Sequence, residues 1–179
     1  MNKNRINYMV KIGAFAAIAF VLQVIGSMMS IKVAGFLEVE FSDIPAMIIA
    51  FAMGPVAGVM VELIKNLLHL TMTSTGFVGE LANFVVNGIF VFVCGAVYSK
   101  SKTKKNAIVS LCTATAALVI AGVFVNLYIM LPLYMPAASQ AERLNLALFT
   151  IAPFNLCRGT VLSVITILIY KRISGLIKQ

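Results

Sequence analysis

Charged side chains are scarce in this sequence, and acidic ones are scarcer still. Only 11% of the 179 residues are charged, six are aspartate or glutamate, and 61% are hydrophobic, which gives a mean hydropathy of +1.00. A soluble domain of this length carries far more charge on its surface. The composition therefore excludes a soluble domain and predicts an all-α integral membrane protein with a single domain over residues 1–179.

Motifs for catalysis are also missing. The sequence has no Walker motif, no nucleophile–base–acid set and no chain of carboxylates that could relay protons. Its three cysteines, Cys94, Cys112 and Cys157, lie in apolar runs without metal-ligand spacing, which predicts plain core residues. We therefore expect no enzyme activity, no metal and no cofactor. Nucleic acid is not an expected partner either, because basic residues gathered at one membrane face explain the net charge of +8 better.

Six apolar runs predict six transmembrane helices. The first, from about 8 to 29, is long enough to span roughly 30 Å of hydrocarbon and too long for a cleavable signal. The others cover about 46–53, 56–72, 80–98, 107–131 and 146–170. Gly54 and Pro55 separate the second run from the third, because proline removes a helical hydrogen bond and glycine relaxes the backbone.

Basic residues mark one face of the membrane in this topology. The lysines and arginines of the N-terminus, of residues 100–105 and of the C-terminus fall on one side, without an acid among them. The opposite side holds Lys32, Glu38, Glu40, Asp43, Glu80, Glu142 and Arg143. Because cytoplasmic loops carry the excess of lysine and arginine, both termini are predicted to be cytoplasmic, in a multi-pass protein of the cell membrane.

The segment Leu37–Pro45 is the most acidic part of the chain. It holds three of the six acidic residues and lies between two long apolar runs. Such a segment belongs at a membrane surface or over a cavity, because its polar groups need partners. We expect it to form part of the lid and wall of a small-molecule site. At its end, Ser42 or Asp43 is expected to cap the short second helix, with Pro45 in the first turn.

Polar residues of the outer half supply the candidate ligand-binding site. These are Leu37 and Glu40 of the acidic segment, Glu80, Asn83, Asn126, Asn155 and Arg158. Amides and one guanidinium in an apolar bundle suit a neutral, planar ligand with a polar edge, held by hydrogen bonds. Arg158 has an alternative role as the structural partner of Glu62 or Glu80.

The third predicted helix carries its own polar residues. Glu62 and Lys65 are three apart, so that one helix face can pair them. The alternative is that Lys65 extends its ammonium to the interface. His69 stands alone near the helix end, where an interfacial structural role is favoured over a role as a ligand.

Small residues form a stripe along the first helix, including the pair Gly13 and Ala17 at four-residue spacing. Small side chains let a second helix approach closely. The stripe predicts either docking of a partner protein or packing within the bundle, and the sequence leaves both open.

Several motifs together resemble a known family. They are Glu-Phe-Ser-Asp-Ile-Pro (40–45), Gly-Pro-Val-Ala-Gly (54–58), Lys-Asn-Leu-Leu (65–68), Ala-Asn-Phe (82–84), Asn126 before Leu-Pro-Leu-Tyr (131–134), and Pro-Phe-Asn (153–155) before Arg158-Gly159. In this order they resemble the riboflavin-specific S component of energy-coupling-factor (ECF) transporters, from the first helix to the sixth.

The resemblance implies a six-helix vitamin-binding subunit that captures riboflavin from outside. It implies hydrogen bonds from Asn126 and Arg158 to the isoalloxazine edge, beneath the Leu37–Glu40 loop. The family often has lysine where this chain has Arg158, and alanine where it has Gly13. The implied partners are a transmembrane coupling protein, which docks on the first-helix stripe, and two cytoplasmic ATPases.

Three other functions compete with this one. A stand-alone channel or secondary transporter would have to transport by this chain alone, and the absence of ion-coupling carboxylates speaks against it. A membrane enzyme acting on a lipid or isoprenoid is disfavoured because no catalytic pair or metal site converges. The third is an S component for another vitamin or for flavin mononucleotide. A phosphorylated ligand would want more positive charge at the outer mouth, where only Lys32, Arg143 and Arg158 are available.

Overall fold

The structure is a computed structural model that describes residues 3–29, 32–33, 37–38, 41–72 and 77–177, with side chains for 4–28, 41–72 and 77–172. Its helices are α1 (Lys3–Met29), α2 (Asp43–Met53), α3 (Pro55–His69), α4 (Val78–Lys100), α5 (Lys104–Val125), α6 (Leu131–Tyr134), α7 (Gln140–Leu146) and α8 (Ala152–Ile177). Between α1 and α2, the two-residue strands β1 (Lys32–Val33) and β2 (Leu37–Glu38) pair antiparallel.

Four helical stretches of the described chain are long and apolar enough to cross a membrane. They cover Asn4–Met28, Val78–Lys100, Lys104–Tyr134 and Gln140–Arg172. The third and fourth are continuous because π-helical turns at Asn126–Met130 and Ala147–Ile151 join α5 to α6 and α7 to α8. The helical class is confirmed. Helix α2 has 11 residues and α3 has 15, so neither matches the roughly 20 residues of a full span.

The predicted break between α2 and α3 is confirmed. Gly54 adopts a φ of +102°, a conformation that a side chain would strain, and it ends α2. Pro55 then occupies the first turn of α3, where its missing N–H costs nothing. Pro45 lies in the first turn of α2, also as predicted.

Ser42 occupies the N-cap position, but its side chain makes no capping hydrogen bond and its hydroxyl instead accepts from Lys65 Nζ. Asp43, the alternative cap, is the first residue of α2. The predicted side-chain cap is therefore wrong.

Helix α2 is the centre of the core. Every residue from Asp43 to Phe51 is buried, among α1, α3, α4 and α8. At its last turn, Phe51 stacks on Tyr98 of α4 with ring centroids 4.2 Å apart and meets Tyr170 of α8 edge-on at 5.0 Å. The hydroxyls of Tyr98 and Tyr170 are hydrogen-bonded to each other. These rings tie α2, α4 and α8 together at that end.

The cysteines depart in part from their predicted burial. Cys94 is buried in α4, but Cys112 and Cys157 are exposed on α5 and α8. All three are free thiols. A thiol is apolar enough to lie on a lipid-facing surface without a partner. Cysteines in apolar runs of a membrane protein can therefore lie on its surface as well as in its core.

Glycine allows α3 to pack tightly on its neighbours. A Cβ on Gly58 would lie 2.5 Å from Val91 Cγ1, 2.7 Å from Ala50 Cβ and 2.8 Å from the Ala46 carbonyl oxygen. Such close approach between helices is a main source of packing energy within membranes.

We therefore predict that Gly58→Ala lowers the thermal midpoint of the detergent-purified protein, by an amount equivalent to about 1–3 kcal/mol of overpacking. Gly13→Ala is the matched control, because a Cβ there meets nothing within 4 Å and alanine favours the helix. Equal midpoints for the Gly58 variant and the unchanged protein would contradict this packing.

Candidate ligand-binding site

A cluster of four charged side chains lies buried between α2, α3 and α8. Asp43 uses one oxygen for Lys65 Nζ at 2.7 Å and the other for Arg158 Nη2 at 2.6 Å. Lys65 Nζ also lies 2.6 Å from Glu62 Oε2. Lys65, Glu62 and Asp43 have side chains of zero exposure, and that of Arg158 is 8% exposed. Two carboxylates thus face two cations, and the cluster is formally neutral.

The neutrality of this cluster explains how it can be buried. An isolated charge in an apolar interior costs several kcal/mol, and only close, hydrogen-bonded pairing offsets that cost. The predicted pairing of Glu62 with Lys65 is confirmed. The alternative, in which Lys65 reaches for the interface, is wrong because its ammonium is fully enclosed.

Arg158 forks between two helices. Its Nη2 binds Asp43 at the start of α2, and its Nη1 donates to Asn87 Oδ1 of α4 at 3.2 Å. Asn87 Nδ2 in turn donates to Asn83 Oδ1 at 3.1 Å. The structure thus gives Arg158 an ion pair with Asp43, a residue that was predicted as part of the acidic segment and as a possible helix cap but not as a partner of Arg158. Asn87 was missed altogether, although its four-residue spacing from Asn83 on one helix face was a usable signal.

A second polar group forms where α5 and α8 meet. Asn126 Nδ2 donates to the Gly122 carbonyl at 2.8 Å, and Asn155 Nδ2 donates to the Ile151 carbonyl at 3.0 Å. A Cβ on Gly122 would lie 2.6 Å from Asn155 Nδ2, so glycine lets the buried Asn155 amide pack directly against α5. Neither amide oxygen accepts a hydrogen bond from the described residues. Both are therefore available to a ligand donor.

Both amides are close to π-helical turns. Asn126 opens the turn Asn126–Met130, and Asn155 follows Ala147–Ile151 by one helical turn. Such turns break the regular hydrogen-bond ladder and occur often at functional sites, because they re-aim nearby side chains. No sequence signal of the kind used above predicted them.

The two polar groups are neighbours on α8. Asn155 and Arg158 are three residues apart and share one side of that helix. On α4, Glu80 and Asn83 are related in the same way. Glu80 Oε1 lies 3.2 Å from His69 Nδ1, which links the end of α3 to the first turn of α4. This contact agrees with the structural role predicted for His69.

The remaining predicted ligand residues belong to the acidic segment. Leu37 lies in β2, opposite Val33 of β1. Glu40 lies outside the described residues.

The fold links Asn83 to Arg158 through Asn87. It packs Asn155 against α5 at Gly122, the residue whose carbonyl accepts from Asn126. Glu80 instead contacts His69, and the contribution of the acidic segment stays a prediction.

The small-residue stripe of α1 divides between two faces. Ile12, Ala16 and Ala19 are buried against the bundle. Gly13 and Ala17 are exposed on the other side of the helix. Packing within the bundle therefore does not account for this pair.

A cavity of about 800 Å³ lies at the connection of α6 to α7. It is lined by Tyr134–Ala138, Glu142, Arg143, Asn145, Leu146, Phe149 and Thr150. Arg143 Nη2 donates to the carbonyls of Met135 and Pro136, and Ser139 and Glu142 form a capping box. The charged side chains of this cavity, Glu142 and Arg143, thus stabilise the connection between α6 and α7. Within the described ranges, no cluster of histidine, cysteine or acidic residues could hold a metal ion.

Comparison with known proteins identifies the family. The family described as "ECF transporter, substrate-specific component" matches residues 7–170. "Riboflavin transporter RibU" of Staphylococcus aureus (strain TCH60) is 33% identical, covering 100% of this chain and 96% of that protein. "Riboflavin transporter FmnP" of Bacillus subtilis (strain 168) is 31% identical, covering 98% and 96%. The chain therefore belongs to the substrate-specific components of ECF transporters, which confirms the family resemblance of its motifs.

Solved structures agree with this assignment. The structure described as "Structure and mechanism of the S component of a bacterial ECF transporter" matches with a TM-score of 0.82 and 32% identity, over 99% of this chain and 100% of that one. A structure of ThiT from Listeria monocytogenes matches with a TM-score of 0.68 over 98% and 99% of the chains, at 17% identity. At that identity the likeness shows the fold alone.

The charge balance of the buried cluster yields a prediction. Lys65→Gln leaves two carboxylates facing one cation and should destabilise the protein by roughly 3–5 kcal/mol, the cost of breaking a buried pair. Glu62→Gln/Lys65→Gln leaves only the neutral Asp43–Arg158 pair, so it should be more stable than the single variant. Thermal midpoints of the purified proteins test this order, and a double variant less stable than Lys65→Gln would contradict it.

Proposed function

We propose that this chain is the riboflavin-binding S component of an ECF-type vitamin uptake transporter. The observation that carries the proposal is its similarity, at 33% and 31% identity over nearly the whole chain, to two proteins named riboflavin transporters. The fold alone does not choose the ligand, since a chain of only 17% identity shares it.

The geometry of the site supports a neutral, planar ligand. The amide oxygens of Asn126 and Asn155 can accept a hydrogen bond from a ligand donor, such as the imide N–H at the edge of a flavin. The buried cations Lys65 and Arg158 already face carboxylates, which favours uncharged riboflavin over its phosphate. Arg143, at the connection of α6 to α7, likewise donates to backbone carbonyls. Leu37, Glu40, Glu80 and Asn83 complete the proposed ligand site.

In the cell, the protein is proposed to be a multi-pass plasma membrane protein with six membrane helices. Here α2 and α3 enter the membrane as two short helices around Gly54, beside the four long stretches. The exposed lysines at the junction of α4 and α5 then mark the cytoplasmic face, together with both termini. The outer ends of α4, α5 and α8 carry the ligand site.

Uptake is proposed to require partner subunits. The exposed face of α1 with Gly13 and Ala17 supports docking of a transmembrane coupling protein, because small residues permit close helix approach. Two cytoplasmic ATPases would supply the energy, so ATP hydrolysis would not be an activity of this chain.

An absorption spectrum tests the ligand assignment. Protein expressed in riboflavin-containing medium and purified in detergent should show a flavin spectrum at about one ligand per chain. Chromatography of the released ligand then distinguishes riboflavin from its phosphate. A colourless protein that also fails to bind added riboflavin would contradict the assignment of riboflavin as the ligand.

Two variants test the site itself. Asn126→Ala and Arg158→Ala should each weaken riboflavin binding by about 1–3 kcal/mol, because a ligand edge loses its partner. The control is Thr160→Ala, which removes an exposed hydroxyl of α8 that donates to the Leu156 carbonyl. Equilibrium titration of flavin fluorescence measures the affinities, and unchanged binding in both variants would remove these residues from the site.

A bulky substitution on the exposed face of α1 tests the proposed docking of the coupling protein. Ala17→Trp should abolish co-purification with the coupling protein and riboflavin uptake, while riboflavin binding stays within about twofold, because the side chain points away from the bundle. Ile120→Trp enlarges an exposed position of α5 and serves as the control. Uptake by this chain alone in vesicles would instead favour a stand-alone transporter.

A further inference from the structure

Asp43 occupies a junction that the proposed ligand contacts do not use. It is the first residue of α2, it is fully buried, and each of its two oxygens serves a different cation. One oxygen holds Lys65 of α3, and the other holds Arg158 of α8 across 115 residues of sequence. A carboxylate with two such contacts can orient a cationic partner as well as balance its charge.

The orientation of Arg158 depends on two contacts from different helices. Asp43 holds Nη2 from α2, and Asn87 holds Nη1 from α4. Because a guanidinium is planar, fixing both terminal nitrogens fixes the plane of the whole group. A lysine has one terminal nitrogen and could not reproduce this fork. An arginine at position 158 therefore depends on both Asp43 and Asn87 for its orientation.

We propose that Asp43 is a positioning residue for the ligand site, which aims the Arg158 guanidinium beside the amides of Asn126 and Asn155. The inference rests on the proposed function. Arg158 lies one helical turn from Asn155, so the direction of its head sets what the ligand edge meets there. Preorganised donors bind more tightly because their ordering is not left to the binding step.

Charge and orientation can be separated in this cluster. Asp43→Asn leaves an excess positive charge and removes the carboxylate that holds Arg158. Lys65→Gln leaves an excess negative charge but keeps the Asp43–Arg158 contact. Asp43→Asn/Lys65→Gln restores neutrality, since Glu62 then balances Arg158, yet the carboxylate at position 43 is still absent.

The test compares riboflavin affinity and thermal midpoint in these three variants of the full chain. Lys65→Gln should lower the midpoint and change the affinity less than about threefold. Asp43→Asn should weaken riboflavin binding about tenfold or more, as expected for loss of a charge-assisted contact. The double variant should recover midpoint relative to Asp43→Asn but not affinity. Affinity that recovers together with the midpoint would show a purely structural role and overturn the proposal.

A second variant keeps the proposal testable if the Asp43 variants do not fold. Asn87→Ala removes the other branch of the fork while keeping all four charges, and it should weaken riboflavin binding several-fold. Affinity equal to that of the unchanged protein in Asn87→Ala would then overturn the proposal. If the unchanged protein binds no riboflavin, the proposed function fails and the positioning role falls with it. If it binds and Asp43→Asn binds equally well, only the positioning role fails.

Discussion

The ion pairs of Asp43 with Lys65 and Arg158 are the interaction on which the rest of the structure depends. Together with Glu62, these three residues place two cations and two carboxylates at the start of α2, a helix buried within an apolar bundle. None of these charges is favourable there without a partner, because only close, hydrogen-bonded pairing offsets the cost of desolvation. Their mutual neutralisation allows α2, α3 and α8 to meet at one point.

Helix α2 is held at both ends by different chemistry. Charges fix its first turn, and the rings of Phe51, Tyr98 and Tyr170 fix its last. A helix of 11 residues gains little stability on its own, so these tertiary contacts decide its position. The same two contacts reach α8, which carries Asn155 and Arg158. The candidate ligand site is therefore built on a helix, α8, that α2 contacts at both of its ends.

The site combines a neutral polar cluster with uncommitted amide oxygens. Asn126 and Asn155 satisfy one N–H each within their own helices and leave their oxygens to a ligand. The charged residues nearby already face one another, so they offer little to an anionic ligand. The chemistry of the candidate site thus favours an uncharged, hydrogen-bonding ligand.

The sequence by itself determined the membrane class, the helical architecture, the break at Gly54 and Pro55, and the family. These follow from composition, from local backbone chemistry and from motifs in fixed order, all of which are written along the chain. It also predicted the Glu62–Lys65 pair, because three-residue spacing on a helix is a local property. Only the tertiary structure decided that Arg158 pairs with Asp43, that Asn87 completes the fork, and that Gly13 and Ala17 face outward. The physical reason is distance along the chain: contacts between residues as far apart as 115 positions depend on how helices pack, and no periodicity encodes them.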